Sequence, residues 1–386
     1  MIDVLTAEDA GPGAVYWDLG SASSNGCHAV GLTRSAYLLD TPILENTAEM
    51  GDHAPGVTTT TGKIIFTSSM DDLLHSDLIF IWGGNPNYTH IPQAHFIYEA
   101  RYNGAYVVTV APDFSPSAIP ADEWVPLNVA TDAALALSMA RVIVDEKLYD
   151  RDFLAEQTDM PLLVRSDNGR LLRASDLRRG GSDEVFYMFD EAAGRIVEAP
   201  RRSLALGDLR PALEGTFEVS GTAGPIAVTT VFERLKRHLQ GYGPEQTRRT
   251  TGVAPATVQR LARRMARARA CSNVCQTNFS KFYHGMEMER AVLLLFALCG
   301  HIGRPGAGYN AVPMLSISGA EPITAASGNV PPTVGVGMLA LKSAPEMLRL
   351  KLAGYSQEMI VYHFARRDYA RGNVVATALL HYEHGG

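Results

Sequence analysis

Cysteine is scarce in this sequence, with four residues (Cys27, Cys271, Cys275 and Cys299) in 386. That is too few for the disulfide framework of a small secreted scaffold. Cys271 and Cys275 lie among apolar neighbours with no histidine close by in the run, so they read as core thiols and not as half of a metal site. Positive charge is not in excess either, because 34 Lys and Arg are set against 41 Asp and Glu for a net charge of −7. No global positive field exists to condense on a phosphate backbone, and nucleic acid is not an expected partner. Long apolar runs are missing. The best, Ala291 to Gly300, is bounded by Arg290 and His301 and falls well short of the roughly 20 residues that span a bilayer. The uncharged stretch from Pro322 to Leu341 is broken by Pro, Gly and Asn and reads as loop, so no transmembrane segment is expected. The opening MIDVLTAEDAG carries acids and no basic or apolar leader pattern, so no export signal is expected within this chain. Three fingerprints are absent as well: G-x-G-x-x-G after a strand, G-x-x-x-x-G-K-[ST], and the G-x-S-x-G elbow. The ordinary nicotinamide, P-loop and serine-hydrolase readings lose their support, although Ser115, Ser117 and His95 superficially invite the last.

The composition that remains, 46% apolar and 19% charged, is that of a globular chain long enough for two or three domains. From Asp77 the run DLIFIWGG reads as a buried parallel strand opening into a tight loop. Pro92 opens a helical stretch with Phe96, Ile97 and Ala100 at helical spacing, closed by Asn103-Gly104. YVVTVAP (106–112) is a second buried strand and EWVPLN a short third. Thr131 is placed to cap a helix from Asp132 to about Glu146, with Leu135, Met139 and Val142 on one face. This switching between periods 2 and 3.6 is the mark of βαβ units. The expected fold class is α/β, with doubly wound, mostly parallel sheets, helices on both faces and a β-hairpin insertion. The expected organisation is a first α/β lobe from 1–74 and 226–386, a Rossmann-like nucleotide-binding lobe from 75–164, and a β-rich insertion from 165–225. Helical patterns return at Val228–Leu239, Glu245–Gly252 and Ala256–Ala270. The last carries Arg260, Arg263, Arg264, Arg267 and Arg269, a stripe that reads as a solvated face. Another strand follows in SNVCQTNFS, and then a buried helix from Met286 to Leu298.

In an open parallel sheet, ligands sit beyond the carboxyl ends of the strands, where loops and helix N-termini present N–H groups. Gly83, Gly84, Asn85 and Pro86 follow the first strand and permit close approach of a phosphate. Asp113, after Pro112, stands where a carboxylate holds a ribose or base. Thr131 and Asp132 begin a helix at the next strand end and serve either as caps or toward the same ligand.

The ordered run HSDLIFIWGGNPNYTHIPQAHFIYEARYNGAYVVTVAPDFSPSAIPADEWVPLNVATDAALALSMARVIVDEKLYD resembles the molybdopterin oxidoreductases of the dimethyl sulfoxide reductase family. Within it the chain is most similar to the respiratory group of nitrate, selenate and chlorate reductases and ethylbenzene and dimethyl sulfide dehydrogenases. The resemblance continues through PEQTRRTTGV and from SKFYHG to GRPGAG, covering most of residues 45 to 310. It implies a molybdenum held by two pyranopterin guanine dinucleotides, with Gly83, Gly84, Asn85, Pro86, Pro112, Asp113, Thr131 and Asp132 toward the nucleotides. It also implies an aspartate ligand to the metal upstream of the first strand, which the segment GDHAPGVTTTTG places at Asp52. A hard carboxylate suits an oxophilic, high-valent metal. Lys281, His284 and Gly285 of SKFYHG fall in a segment that lines the cofactor in relatives, and Lys281 and His28 become the proton-handling candidates beside Asp52. The expected function is two-electron oxygen-atom transfer or hydroxylation of a small-molecule substrate at the metal. The alternative is a non-catalytic scaffold of the same fold in a respiratory complex. The resemblance further implies an iron–sulfur electron-transfer subunit as partner and a periplasmic or envelope-associated place. Full-length relatives carry an iron–sulfur cluster in a Cys- or His-rich opening segment, and this chain offers no such cysteine set.

Overall fold

The structure is a computed structural model. It describes residues 2–5, 11–18, 32, 34–44, 54–61, 68–200, 204–275, 279–310 and 344–355. The chain divides into two compact units, one from Met1–Met70, Gln276–Glu289 and Ala311–Gly386, the other from Asp71–Cys275 and Arg290–Asn310.

In the first unit the described elements include helix α1 (Ile2–Leu5), the short parallel pair β1 (Trp17–Asp18) and β2 (Ile43–Leu44), and helix α2 (Pro55–Thr61). Thr58, Thr60 and Thr61 of α2 each return a hydroxyl to the carbonyl four residues earlier. Such back-bonding occupies hydroxyls that would otherwise compete for the helix backbone.

The second unit is built on strand β3 (Leu78–Trp82), whose five side chains are all buried. Short helix α3 (Pro86–Thr89) and helix α4 (Ile91–Tyr102) lead to β4 (Tyr106–Ala111), and β5 (Glu123–Pro126) follows. Helix α5 (Asp132–Asp145) places Leu135, Ala136, Met139, Ala140 and Ile143 in the core, and α6 (Arg151–Gln157) is capped by the Asp150 carboxylate, which accepts from Phe153 N–H. Asn103 caps α4, with Gly104 in the left-handed region, as its sequence indicates.

The β-rich region then forms a satellite. Strand β6 (Leu163–Arg165), helix α7 (Ala174–Leu177), the hairpin β7 (Tyr187–Asp190) and β8 (Arg195–Glu198), and the hairpin β9 (Thr216–Gly221) and β10 (Gly224–Thr230) enclose their own small core around Leu163, Leu172, Val185, Tyr187 and Val228. Phe189 and Phe217 stack with centroids 3.8 Å apart. Strand β10 pairs antiparallel with both β6 and β9.

Three helices return to the main sheet: α8 (Val231–His238), α9 (Pro244–Thr251) and α10 (Pro255–Arg267), with α9 and α10 packed on α5. The helix expected from Val228 starts three residues later. Val228 to Thr230 complete β10, and the Thr230 hydroxyl then caps α8 by accepting from Glu233 N–H. Strand β11 (Cys271–Val274), helix α11 (Gly285–Leu298) and strand β12 (Gly308–Asn310) close the chain path through the sheet. Cys271 and Cys275 are buried free thiols, as the apolar context indicates.

The main sheet has the order β12-β11-β3-β4-β5 with every pair parallel. The expected α/β class, parallel sheet and hairpin insertion are all present. No described helix is long and apolar enough to cross a membrane.

Candidate cofactor site

The strand order creates one special position. From β3 the chain moves outward through β4 and β5, then returns to place β11 on the other side of β3. Connections leave β3 and β11 in opposite directions, so a crevice opens beyond their carboxyl ends, the usual ligand position in an open α/β sheet. Trp82 ends β3 there, and Gly83 takes φ +87, a conformation a side chain would strain. Asn273, fully buried in β11, points its amide NH2 at the Trp82 carbonyl at 3.5 Å. Its Oδ1 finds no hydrogen-bond partner among the described residues. A buried acceptor left open at a switch point is one that a ligand donor would satisfy.

Two further strand ends are tied to this place. The Trp82 indole N–H donates to Asp132 Oδ1 at 2.7 Å, joining the end of β3 to the first turn of α5. Burial pushes the Asp132 carboxyl above its ordinary range, and the indole bond only partly opposes that. Ser117, wholly buried after β4, donates to Asn85 Oδ1 at 2.6 Å and accepts from Asn87 N–H at 3.2 Å. Asn85 and Pro86 are thus fixed as the start of α3, with the proline at its first position. Pro112 and Asp113 lie exposed at the end of β4, and Phe114 rests edge-on against Trp124 at 5.3 Å. Thr131 occupies the cap position of α5, yet its hydroxyl donates to the Asn128 carbonyl at 2.7 Å and caps nothing. The capping reading is corrected here, because a nearer acceptor takes the Thr131 hydroxyl, while the Asp132 carboxylate accepts from its own backbone N–H in the first turn. Gly83, Gly84, Asn85, Pro86, Thr131 and Asp132 therefore belong to one platform of cross-linked strand ends, with Pro112 and Asp113 on the exposed loop beside Ser117. It offers carboxylates to N–H and O–H donors and a helix N-terminus to a phosphate.

In the first unit, the helix that follows position 52 is brought against the SKFYHG region. Gly56 is buried, and a Cβ there would stand 2.4 Å from the Met286 carbonyl oxygen, so only glycine permits the approach. Gly56 N–H donates to Glu289 Oε2 at 2.8 Å. Lys281 ends a short 3-10 turn and is exposed, as is His284, which adopts φ +58 with its ring against Tyr283 and its Nδ1 3.9 Å from Glu287. Gly285 is buried at the start of α11. Asp52 and His28 lie outside the described residues. Among the described residues no group of three His, Cys, Asp or Glu side chains is placed to hold a metal ion.

Sequence reasoning did not single out Ser117 as the hinge between two loops, Asn273, or Glu289. The first two carry no local signal, since their roles come from strand order. Glu289 did: an acid two residues before the apolar run AVLLLFAL falls on the buried face of the helix, where an acid is rare unless partnered.

The chain is 40% identical over 312 residues to the dimethylsulfide dehydrogenase subunit alpha of Rhodovulum sulfidophilum, covering 79% of this chain and 34% of that one. It is 42% identical over 286 residues to the chlorate reductase subunit alpha of Ideonella dechloratans, 71% of this chain and 31% of that one. With the respiratory nitrate reductase subunit alpha of Haloferax mediterranei it shares 38% over 275 residues, 67% and 28%. The chain thus spans about a third of the length of the curated relatives it matches. A family model described as molybdopterin oxidoreductase matches residues 6–359, and this chain belongs to the molybdopterin oxidoreductase family.

Proposed function

We propose that this chain is part of the catalytic subunit of a molybdenum oxidoreductase whose metal is carried by two pyranopterin guanine dinucleotides. The observation that carries the reading is the β3–β11 switch point, with its open Asn273 acceptor and the Trp82–Asp132 and Ser117–Asn85 ties. Gly83 to Pro86, Pro112, Asp113, Thr131 and Asp132 hold the nucleotide ends, the glycines by close backbone approach and the aspartates by accepting from base or ribose donors. Asp52 is the protein ligand to the metal. When bound, the cofactor supplies two-electron chemistry, oxygen-atom transfer or hydroxylation of a small molecule. The chain keeps the groups around it in place: Lys281 and His28 hold and move the protons that accompany the electrons, and His284 and Gly285 border the cofactor. Relatives named for dimethylsulfide, chlorate and nitrate point to a small thioether or an oxyanion as substrate class. Electrons pass to or from an iron–sulfur subunit, consistent with the relatives being alpha subunits.

The test is analytical. Purified from its source with its natural flanking sequence and partners, the protein should release molybdenum and guanine nucleotide in a ratio of about one to two. Neither species present would overturn the reading and favour the scaffold.

A further inference from the structure

Helix α11 carries Glu287 outward and Glu289 inward. Glu289 has no exposed surface, and the first turn of α2 lies against it. A Cβ on Gly56 would stand 2.7 Å from the Glu289 Cβ and 2.9 Å from its Oε2, so the glycine backbone rests directly on this side chain. Gly56 N–H donates to Oε2 at 2.8 Å, and the Val57 N–H and the Ser280 hydroxyl also favour the charged form. Oε1 makes no hydrogen bond among the described residues. Lifting α2 would bring the carboxyl into water.

Charged neighbours do not govern this carboxyl. Helix α2 has no titratable side chain. The Phe279–Lys281 turn supplies Lys281, and the helix that bears Glu289 supplies Glu287 and Arg290, with His284 just before it; all four are exposed. Burial raises the proton affinity of Glu289, the three hydrogen-bond donors lower it, and burial wins, pushing the carboxyl up to about 7 from an ordinary 4.5. The seated form of α2 therefore binds that proton more tightly than a lifted form in which the carboxyl is hydrated. The seat is strained as well. Ala54, buried immediately before α2, takes φ +46, left-handed backbone that costs an alanine free energy. A buried acid and a strained residue both work against seating, which brings the two positions of the helix closer in free energy, as a switching element requires.

We propose that α2 is a proton-controlled cover: it seats on α11 while Glu289 is protonated and lifts as Glu289 gives up its proton. Every group involved lies within the chain, so the proposal does not rest on the cofactor reading. The experiment follows amide hydrogen exchange at Gly56 and Val57 in the intact protein and in its Glu289→Gln variant at pH 6 and pH 8, each rate divided by that of an unprotected amide at the same pH. With the carboxyl titrating near 4.5 in water and about 7 when covered, the lifted population of the wild type should grow about tenfold over that interval. The variant cannot ionise there and should show no growth. Growth of equal size in both proteins, or in neither, overturns the proposal. So does exchange at Gly56 and Val57 no faster than in β3, because α2 would then come away only with the whole fold. Should the variant not fold, infrared spectroscopy of the wild type takes its place. The carbonyl stretch of a buried, protonated glutamic acid should fade from pH 6 to pH 8 in step with the growth in exchange, and its absence at pH 6 overturns the proposal.

Discussion

The Trp82 indole and the Asp132 carboxylate depend on each other because both are largely out of water. Replacing Trp82 by Phe keeps most of the apolar contact and removes the indole donor that reaches that carboxylate. The expected cost is about 1–3 kcal/mol, the penalty of a buried acceptor left unpaired, read as a lower thermal midpoint. Glu289 gives a pH dependence of definite sign. Its carboxyl ordinarily titrates near 4.5 and in the fold near 7, so the folded state holds the proton more tightly. Its contribution is fully present below pH 4.5 and is lost as pH rises through 7, by about 3 kcal/mol in all. Denaturant titrations at pH 4.5 and 8 should show wild type losing stability relative to Glu289→Gln across that interval. An unchanged difference would contradict it. At this scale the sequence was informative where backbone demand shows in residue type, as at Gly83 and Gly104. It was silent where a role depends on a neighbour more than thirty residues away, as with Ser117 and Asn85.

Among the elements, α10 separates appearance from energetics. Its arginine stripe looks like a docking surface, yet Arg260 forks onto Glu123, Arg263 pairs with Glu146 at 2.7 Å, and Arg264 lies over the Tyr106 ring at 3.7 Å. These are half-exposed contacts within the chain, which bears out the solvated face read from the sequence. Arg263→Ala should change stability by no more than about 1 kcal/mol, whereas Leu261→Ala on the fully buried side of the same helix should cost about 2–5 kcal/mol; chemical denaturation of the two variants distinguishes them. Helix α5 and strands β3 and β4 were legible because their periodicities extend over several residues. The start of α8 was not, since Val228, Thr229 and Thr230 suit a strand as well as a helix entry, and pairing with β6 decides it. Helix α3 is a single turn created by Pro86 and too short for any periodicity to announce it.

For the molecule as a whole, the ordered series of strand ends carried more information than any one motif, and the family match over residues 6–359 agrees with it. If nucleotide ends fill the switch point, they stabilise the folded state by mass action. Protein purified with cofactor should resist unfolding by about 4 kcal/mol more than cofactor-free protein when the ligand stands a thousandfold above its dissociation constant. Calorimetry of the two forms reads this directly, and coincident midpoints would argue against binding in the second unit.

The late return of β11 and β12 has a consequence during synthesis. Strand β3 is made before its partners, so one of its two hydrogen-bonding edges waits for Cys271–Val274 and the next place for Gly308–Asn310. At ribosomal speeds the interval is roughly 10–50 s, during which LIFIW offers an unpaired apolar edge to any other nascent strand. The crevice between β3 and β11 therefore exists only once Cys271–Val274 has been made, and growing chains need shielding at this edge in the meantime.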